Sequence, residues 1–336
     1  MKSTMLSRSR LASVIGPFLG LGFIALLFFV YDLTANGSLE NFEIVFSLDN
    51  LRTIAQRTAP IAAGALGLTI VIISGGIDLS AGSVMALTTV VIALALKGSD
   101  GAEGFSPGVA LCFGLAVATL AGFCNGLLIT RLKIVPFIAT LGMMSVARGL
   151  AKLLSDQQKI SVQRTWISDI LSIDPLGPPW QMPWGTFVVL GLAVLLALVL
   201  RYSVFGRYVF AIGSNERTAI LCGIKVDRQK LYLYALCGFF VGVAAVMQFS
   251  KVNSGDPSSA MGKELDLIAA VVIGGGSLSG GKGGVLGTLI GASIIGLLRN
   301  SCDIYLIPNS TQDIVIGAII VSAAAVDHYR ARRAAA

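Results

Sequence analysis

Charge is scarce in this chain. Only 13% of its 336 residues are Asp, Glu, Lys or Arg, while 55% are hydrophobic; an ordinary soluble protein carries roughly a quarter charged residues. Apolar stretches follow one another with only short polar breaks, which excludes a single water-soluble core. Histidine is scarcer still. The one example, His328, sits beside Asp327 in the basic C-terminal tail and offers little for metal binding or acid–base catalysis. The five cysteines lie mostly inside or beside apolar runs and without CxxC spacing, so neither a disulfide framework nor a zinc site is expected. No GxSxG elbow and no HExxH pair occurs. The chain therefore reads as no enzyme, with no cofactor and no metal.

The net charge of +7 would suit a nucleic-acid partner if it formed a basic stripe on a soluble surface. Here the charges sit between apolar spans, so the expected surroundings are membrane lipid and no nucleic acid. A bilayer core about 30 Å thick needs roughly 20 apolar residues per helix. On that measure the sequence predicts an all-α polytopic membrane bundle, one transmembrane domain over 1–336. It has about ten spans, near 12–31, 59–74, 80–96, 107–130, 134–152, 183–200, 231–250, 265–276, 284–299 and 312–327. The first follows Lys2, Arg8 and Arg10 and is too long for a signal-peptide core of about 7–15 residues, so it reads as an uncleaved helix. With both termini in the cytoplasm, the inner segments 1–11, 131–133, 201–230 and 328–336 hold 14 of the 25 Lys and Arg. That bias obeys the positive-inside rule.

Two spans, 59–74 and 265–276, read as short, and each runs into a glycine-rich break. One break is Ser74-Gly75-Gly76-Ile77-Asp78-Leu79-Ser80; the other is Gly274-Gly275-Gly276-Ser277-Leu278-Ser279-Gly280-Gly281-Lys282-Gly283. Their matching places in two halves suggest a parallel internal pseudo-repeat. Glycine-interrupted segments so placed point to a transporter's working centre, although glycines also let helices pack closely. The second break has the GxxxxGK spacing of a phosphate loop from Gly276 to Lys282, but Gly283 stands where a Mg²⁺-binding hydroxyl is needed, so it fails as a nucleotide site.

Asp78 is an ionisable group near membrane depth, and such groups read as functional. It also has a structural role open to it, since its carboxylate or the Ser80 hydroxyl could cap the helix that follows. Asp266, with Glu264 two residues earlier, reads as a solvated or capping helix end. Arg148, near the end of the fifth span, reads as an anchoring or packing side chain. In the inner segment 201–230, Asn215 or Ser214 can start a short helix and Gly223 can stop it in a left-handed cap. A capped helix projecting into the cytoplasm is a candidate docking knob; the alternative is an ordinary basic loop.

Four stretches resemble the sugar-type permeases of bacterial ABC importers, the ribose, xylose and galactose type. They are Ser74–Ser83, Ile134–Gly149, Gly213–Ile224 and Glu264–Ala292, and with matching spacing the likeness runs from about residue 48 to 327. Ser214, Gly276 and Gly284 depart from the residues usual in the family. The resemblance implies a subunit of the bacterial inner membrane that works with a cytoplasmic ABC ATPase and a periplasmic sugar-binding protein. It also implies a second permease subunit, identical or homologous. By the same likeness, Asn215, Glu216, Ala219 and Gly223 belong to a coupling helix that engages the ATPase; from their place in the two breaks, Gly75, Gly76, Asp78, Ser80, Gly275 and Gly276 are the candidate pathway and helix-break residues. A branched-chain amino-acid permease and an ion-coupled secondary transporter are the alternatives.

Overall fold

The computed structural model describes residues 20–23, 25–36, 39–98, 104–173 and 181–335. The basic N-terminus and the first part of the 12–31 span lie outside the described residues, as does the side chain of His328. The α-helices run in the order α1 (Glu40–Val45), α2 (Leu48–Ile73), α3 (Ala81–Lys97), α4 (Pro107–Arg131), α5 (Pro136–Leu154), α6 (Trp166–Asp169) and α7 (Trp184–Tyr202). They continue with α8 (Val204–Ser214), α9 (Glu216–Leu221), α10 (Val226–Val252), α11 (Lys263–Ile273), α12 (Val285–Ile304) and α13 (Asn309–Ala335). Two-residue strands β1 (Ile160–Ser161) and β2 (Ser254–Gly255) pair antiparallel, with Ile160 opposite Gly255.

Local chemistry explains most helix ends. Pro107 and Pro136 open α4 and α5 at the first turn, where a missing N–H costs nothing. Ser47 caps α2 by accepting the Asn50 N–H at 3.2 Å, and Ser203 caps α8 by accepting that of Gly206. α10 stops at Asn253 in the left-handed conformation, φ 51°.

Among the described residues, six helices are long and apolar enough to cross a membrane: α2, α4, α5, α7, α10 and α12. α3 has 17 residues and α11 only 11. The second span is not short, as the sequence suggested. α2 begins at Leu48 rather than near 59, because Asp49, Arg52 and Arg57 lower its hydropathy without ending the helix. Arg57 pairs with Asp303 of α12, which satisfies its charge. The 201–230 segment is likewise mostly helical, formed by α8, α9 and the start of α10.

The centre of the bundle is α2, α10 and α12. Their most apolar stretches are 83%, 67% and 72% buried, whereas α5 and α7 bury only 22% and 28% and turn apolar faces outward. Hydrocarbon is as apolar as those side chains, so their exposure carries no penalty in a bilayer. α10 packs along α4 and α2, and α12 along α2 and α11. Where α10 crosses α4 the backbones nearly touch: a Cβ on Gly238 would lie 3.1 Å from the Gly122 Cα. Polar contacts add to this packing, since buried Thr69 of α2 and Thr288 of α12 share a hydroxyl hydrogen bond of 2.7 Å.

Asp266 corrects a second expectation. It is neither solvated nor a helix cap but 1% exposed, pairing with Lys263 at 2.9 Å and Arg299 at 2.7 Å. An unpaired carboxylate there would be costly to bury, and the two cations offset that cost. Arg148 is an anchor: its guanidinium donates to the carbonyls of Pro257 and Ser259 at 2.7 and 2.8 Å, holding the loop after β2.

Candidate functional site

α2, α11 and α9 end in the same way. At the end of α2, Gly75 N–H donates to the Ile72 carbonyl and Gly76 N–H to that of Val71, both at 2.9 Å. At the end of α11, Gly275 N–H donates to Val272 and Gly276 N–H to Val271, at 2.9 and 2.8 Å. Gly223 and Ile224 close α9 onto Ile220 and Ala219 with the same pattern. Each is a Schellman closure, which needs a left-handed residue at the turn; Gly75, Gly275 and Gly223 supply it with φ of 82°, 88° and 81°.

Asp78 lies in the first break, 3% exposed. Its Oδ1 accepts the Ser80 N–H at 2.8 Å and the Ser80 hydroxyl at 2.6 Å, while the Cys237 thiol of α10 points at Oδ2 from 3.8 Å. Ser80 in turn accepts from the Asn125 amide of α4 at 2.9 Å. The capping expectation is therefore corrected in detail. Neither side chain caps the first turn of α3, because Ser80 spends its hydroxyl on Asp78 and Asn125 and the carboxylate closes a local turn onto Ser80. The result is a buried polar knot joining the break to α4 and α10. Gly76 is required beside it, since a Cβ there would sit 2.6 Å from the Tyr234 hydroxyl, which donates to the Ile77 carbonyl.

The two breaks and the inner segment meet at one glycine. Gly213, in the last turn of α8, lies against both breaks, so that a Cβ on it would collide with the Ile73 carbonyl oxygen and lie 2.6 Å from the Gly281 nitrogen. Gly281 N–H donates to that same Ile73 carbonyl at 2.8 Å. A Cβ on Gly280 would lie 3.0 Å from the Gly75 Cα and 2.7 Å from the Gly213 carbonyl. Sequence reasoning singled out Gly75, Gly76, Gly275 and Gly276 but gave no role to Gly213, Gly280 or Gly281. Their small size is set by tertiary contact, which leaves no periodic trace.

α9 follows this junction directly. Asn215, not Ser214, caps it by accepting the Thr218 N–H at 3.0 Å. Glu216 pairs with Lys230 of α10 at 2.7 Å. Ala219 is 3% exposed and faces inward onto Ile212 and Val226, beneath the helix rather than at its tip. The outward face instead carries Ile220 and Leu221, 56% and 87% exposed. These two apolar side chains were not singled out from the sequence, although their place before the Gly223 cap was a usable signal.

A multi-helix membrane protein with glycine-broken helices, joined to a capped helix that stands proud of the bundle, is the architecture of a transport permease. The family described as "branched-chain amino acid transport system / permease component" matches residues 50–324, and the chain belongs to it. It is 36% identical over 284 residues to the ribose import permease protein of Escherichia coli K12, covering 84% of this chain and 87% of that one. It is also 36% identical over 315 residues to the ribose import permease protein of Bacillus subtilis 168, covering 93% and 92%. The fructose import permease protein of Rhizobium meliloti is 32% identical over 290 residues, covering 84% and 79%. No solved structure matches the chain.

Proposed function

We propose that this chain is the membrane-spanning permease subunit of an ATP-driven importer for a monosaccharide in the bacterial inner membrane. The sugar class is supported by the names of the ribose and fructose permeases that match nearly the whole chain. In this reading about ten spans, arranged as two parallel repeats, cross the membrane with both termini in the cytoplasm, and a second permease, identical or homologous, completes the pathway. A separate ABC ATPase seats α9, and a periplasmic binding protein delivers the sugar to the opposite face.

The observation that carries the mechanism is the meeting of both breaks at Gly213, immediately before α9. A displacement of α9 by closure of the ATPase is passed through backbone-to-backbone contact to the ends of α2 and α11. The permease halves then rock between outward and inward access, a bistable rearrangement of packed elements. The chain gates while the partner hydrolyses ATP.

The family's description favours a second reading, a branched-chain amino-acid importer. Affinity purification of this chain from its own membranes, with identification of the co-purifying binding protein, separates the two. A binding protein that takes up D-ribose or D-fructose supports the sugar reading, and one that takes up L-leucine overturns it.

A further inference from the structure

At the end of the bundle opposite α9 there is a cavity of about 360 Å³. α2, α10 and α12 each run between the two ends: Ile73, Val226 and Val285 lie near the junction, and Arg57, Lys251 and Arg299 reach the cavity. Small-molecule sites typically measure roughly 300–1,000 Å³, and the lower end of that range suits one sugar ring rather than two.

Charge of both signs lines the wall. Arg57, Lys251, Lys263 and Arg299 face the carboxylates of Asp303 and Asp313. Three of the four cations are already paired: Arg57 with Asp303, Arg299 with Asp266 and Asp313, and Lys263 with Asp266. Those pairs hold their donors and acceptors in place. Lys251, by contrast, has no hydrogen-bond or ion-pair partner among the described residues, and its ammonium is free to donate. Met261, 71% exposed, adds apolar surface.

This wall discriminates between solute classes. A small anion finds a single unpaired cation, Lys251, with the carboxylates of Asp303 and Asp313 beside it, and a small cation meets four positive groups. An apolar solute strips water from charges and returns no hydrogen bonds. A polyhydroxylated ring suits it better, because each hydroxyl both donates and accepts, while the C–H face of the ring can rest on Met261. We propose that this cavity is a subsite for the transported sugar within the permease chain itself, where the sugar rests at the end away from the ATPase before the bundle rocks. The proposal rests on the monosaccharide-importer reading.

The test uses the full chain in detergent, titrated with D-ribose and D-fructose by saturation-transfer NMR. Wild type is compared with Lys251→Met and Asp313→Asn, whose folding is checked by thermal unfolding. The expected result is weak, saturable binding of one sugar, reduced about tenfold or more in each variant. In vesicles holding the complete transporter, the same variants should raise the sugar concentration for half-maximal uptake. If the complete system imports a sugar that the isolated chain does not bind, or if both variants bind as wild type does, the subsite is wrong and the importer reading stands. If the complete system imports no sugar, the importer reading fails and the subsite with it.

Discussion

The backbone N–H of Gly281 donates to the carbonyl of Ile73 at 2.8 Å, across more than 200 residues of sequence. Ile73 ends α2, and Gly281 lies in the break after α11. This bond and the packing of Gly213 beside it make the two breaks and the base of α9 one contiguous body. In the proposed mechanism a displacement of α9 reaches both breaks through this backbone contact, without a side-chain relay.

Gly213→Ala should be felt throughout that body. The added methyl meets the Ile73 carbonyl oxygen, and such overpacking costs about 1–3 kcal/mol. A lower thermal midpoint and a marked loss of ATP-driven uptake are expected. Gly191→Ala is the control, because a Cβ there meets nothing within 4 Å. Equal behaviour of the two variants would dismiss the junction.

Gly223→Val places a β-branched residue at φ 81°, a region open to glycine and closed to valine. The end of α9 should unwind while the bundle, which lies elsewhere, stays folded. The measurement is uptake per ATP hydrolysed in reconstituted vesicles, expected to fall sharply. Gly223→Asn, which tolerates the left-handed region, should retain more coupling than valine does.

Leu221→Asp and Ile220→Asp probe the docking face. Both side chains are exposed, so stability should change by less than about 0.5 kcal/mol. A hot-spot side chain at the centre of an interface costs about 2 kcal/mol or more when lost, and an introduced carboxylate adds the cost of burying a charge, so co-purification of the ATPase should drop for both. Retention of the partner by both variants would move the docking surface off α9.

Asp78→Asn separates a structural carboxylate from an ion-coupling one. The asparagine oxygen can still accept the Ser80 N–H, so both folding and uptake should survive with modest loss. Asp78→Leu leaves the Ser80 N–H and hydroxyl short of an acceptor, at about 1–3 kcal/mol. Full loss of uptake in Asp78→Asn with unchanged stability would point to an ion-coupled transporter instead.

Asp266→Asn removes a buried charge shared by Lys263 and Arg299. Breaking a buried pair costs about 3–5 kcal/mol, and the lower end applies because both cations keep some solvent. Thermal unfolding in detergent should show a distinctly lower midpoint.

Hydropathy located helices well where punctuation was local. The spans near 107–130 and 134–152 became Pro107–Arg131 and Pro136–Leu154, because a proline opens each helix. The left-handed stop at Gly223 was legible for the same reason, and so was the place of the glycine-rich breaks, though not the left-handed caps at Gly75 and Gly275. Hydropathy failed at the start of α2, whose Arg57 is compensated by Asp303, a residue far along the chain. It failed again at Asp266, whose partner Arg299 lies a helix away. Ala219 read as part of the docking surface because a six-residue helix has too few turns to show which face is buried. Gly213 was invisible, since its need for glycine comes from two backbones that arrive from opposite ends of the sequence.

The most direct test of this account is solute uptake by proteoliposomes holding the purified chain alone or together with its ATPase and binding protein, with and without ATP. The account predicts D-ribose or D-fructose uptake only when ATP and both partners are present. Uptake by the chain alone, or uptake indifferent to ATP, would contradict it.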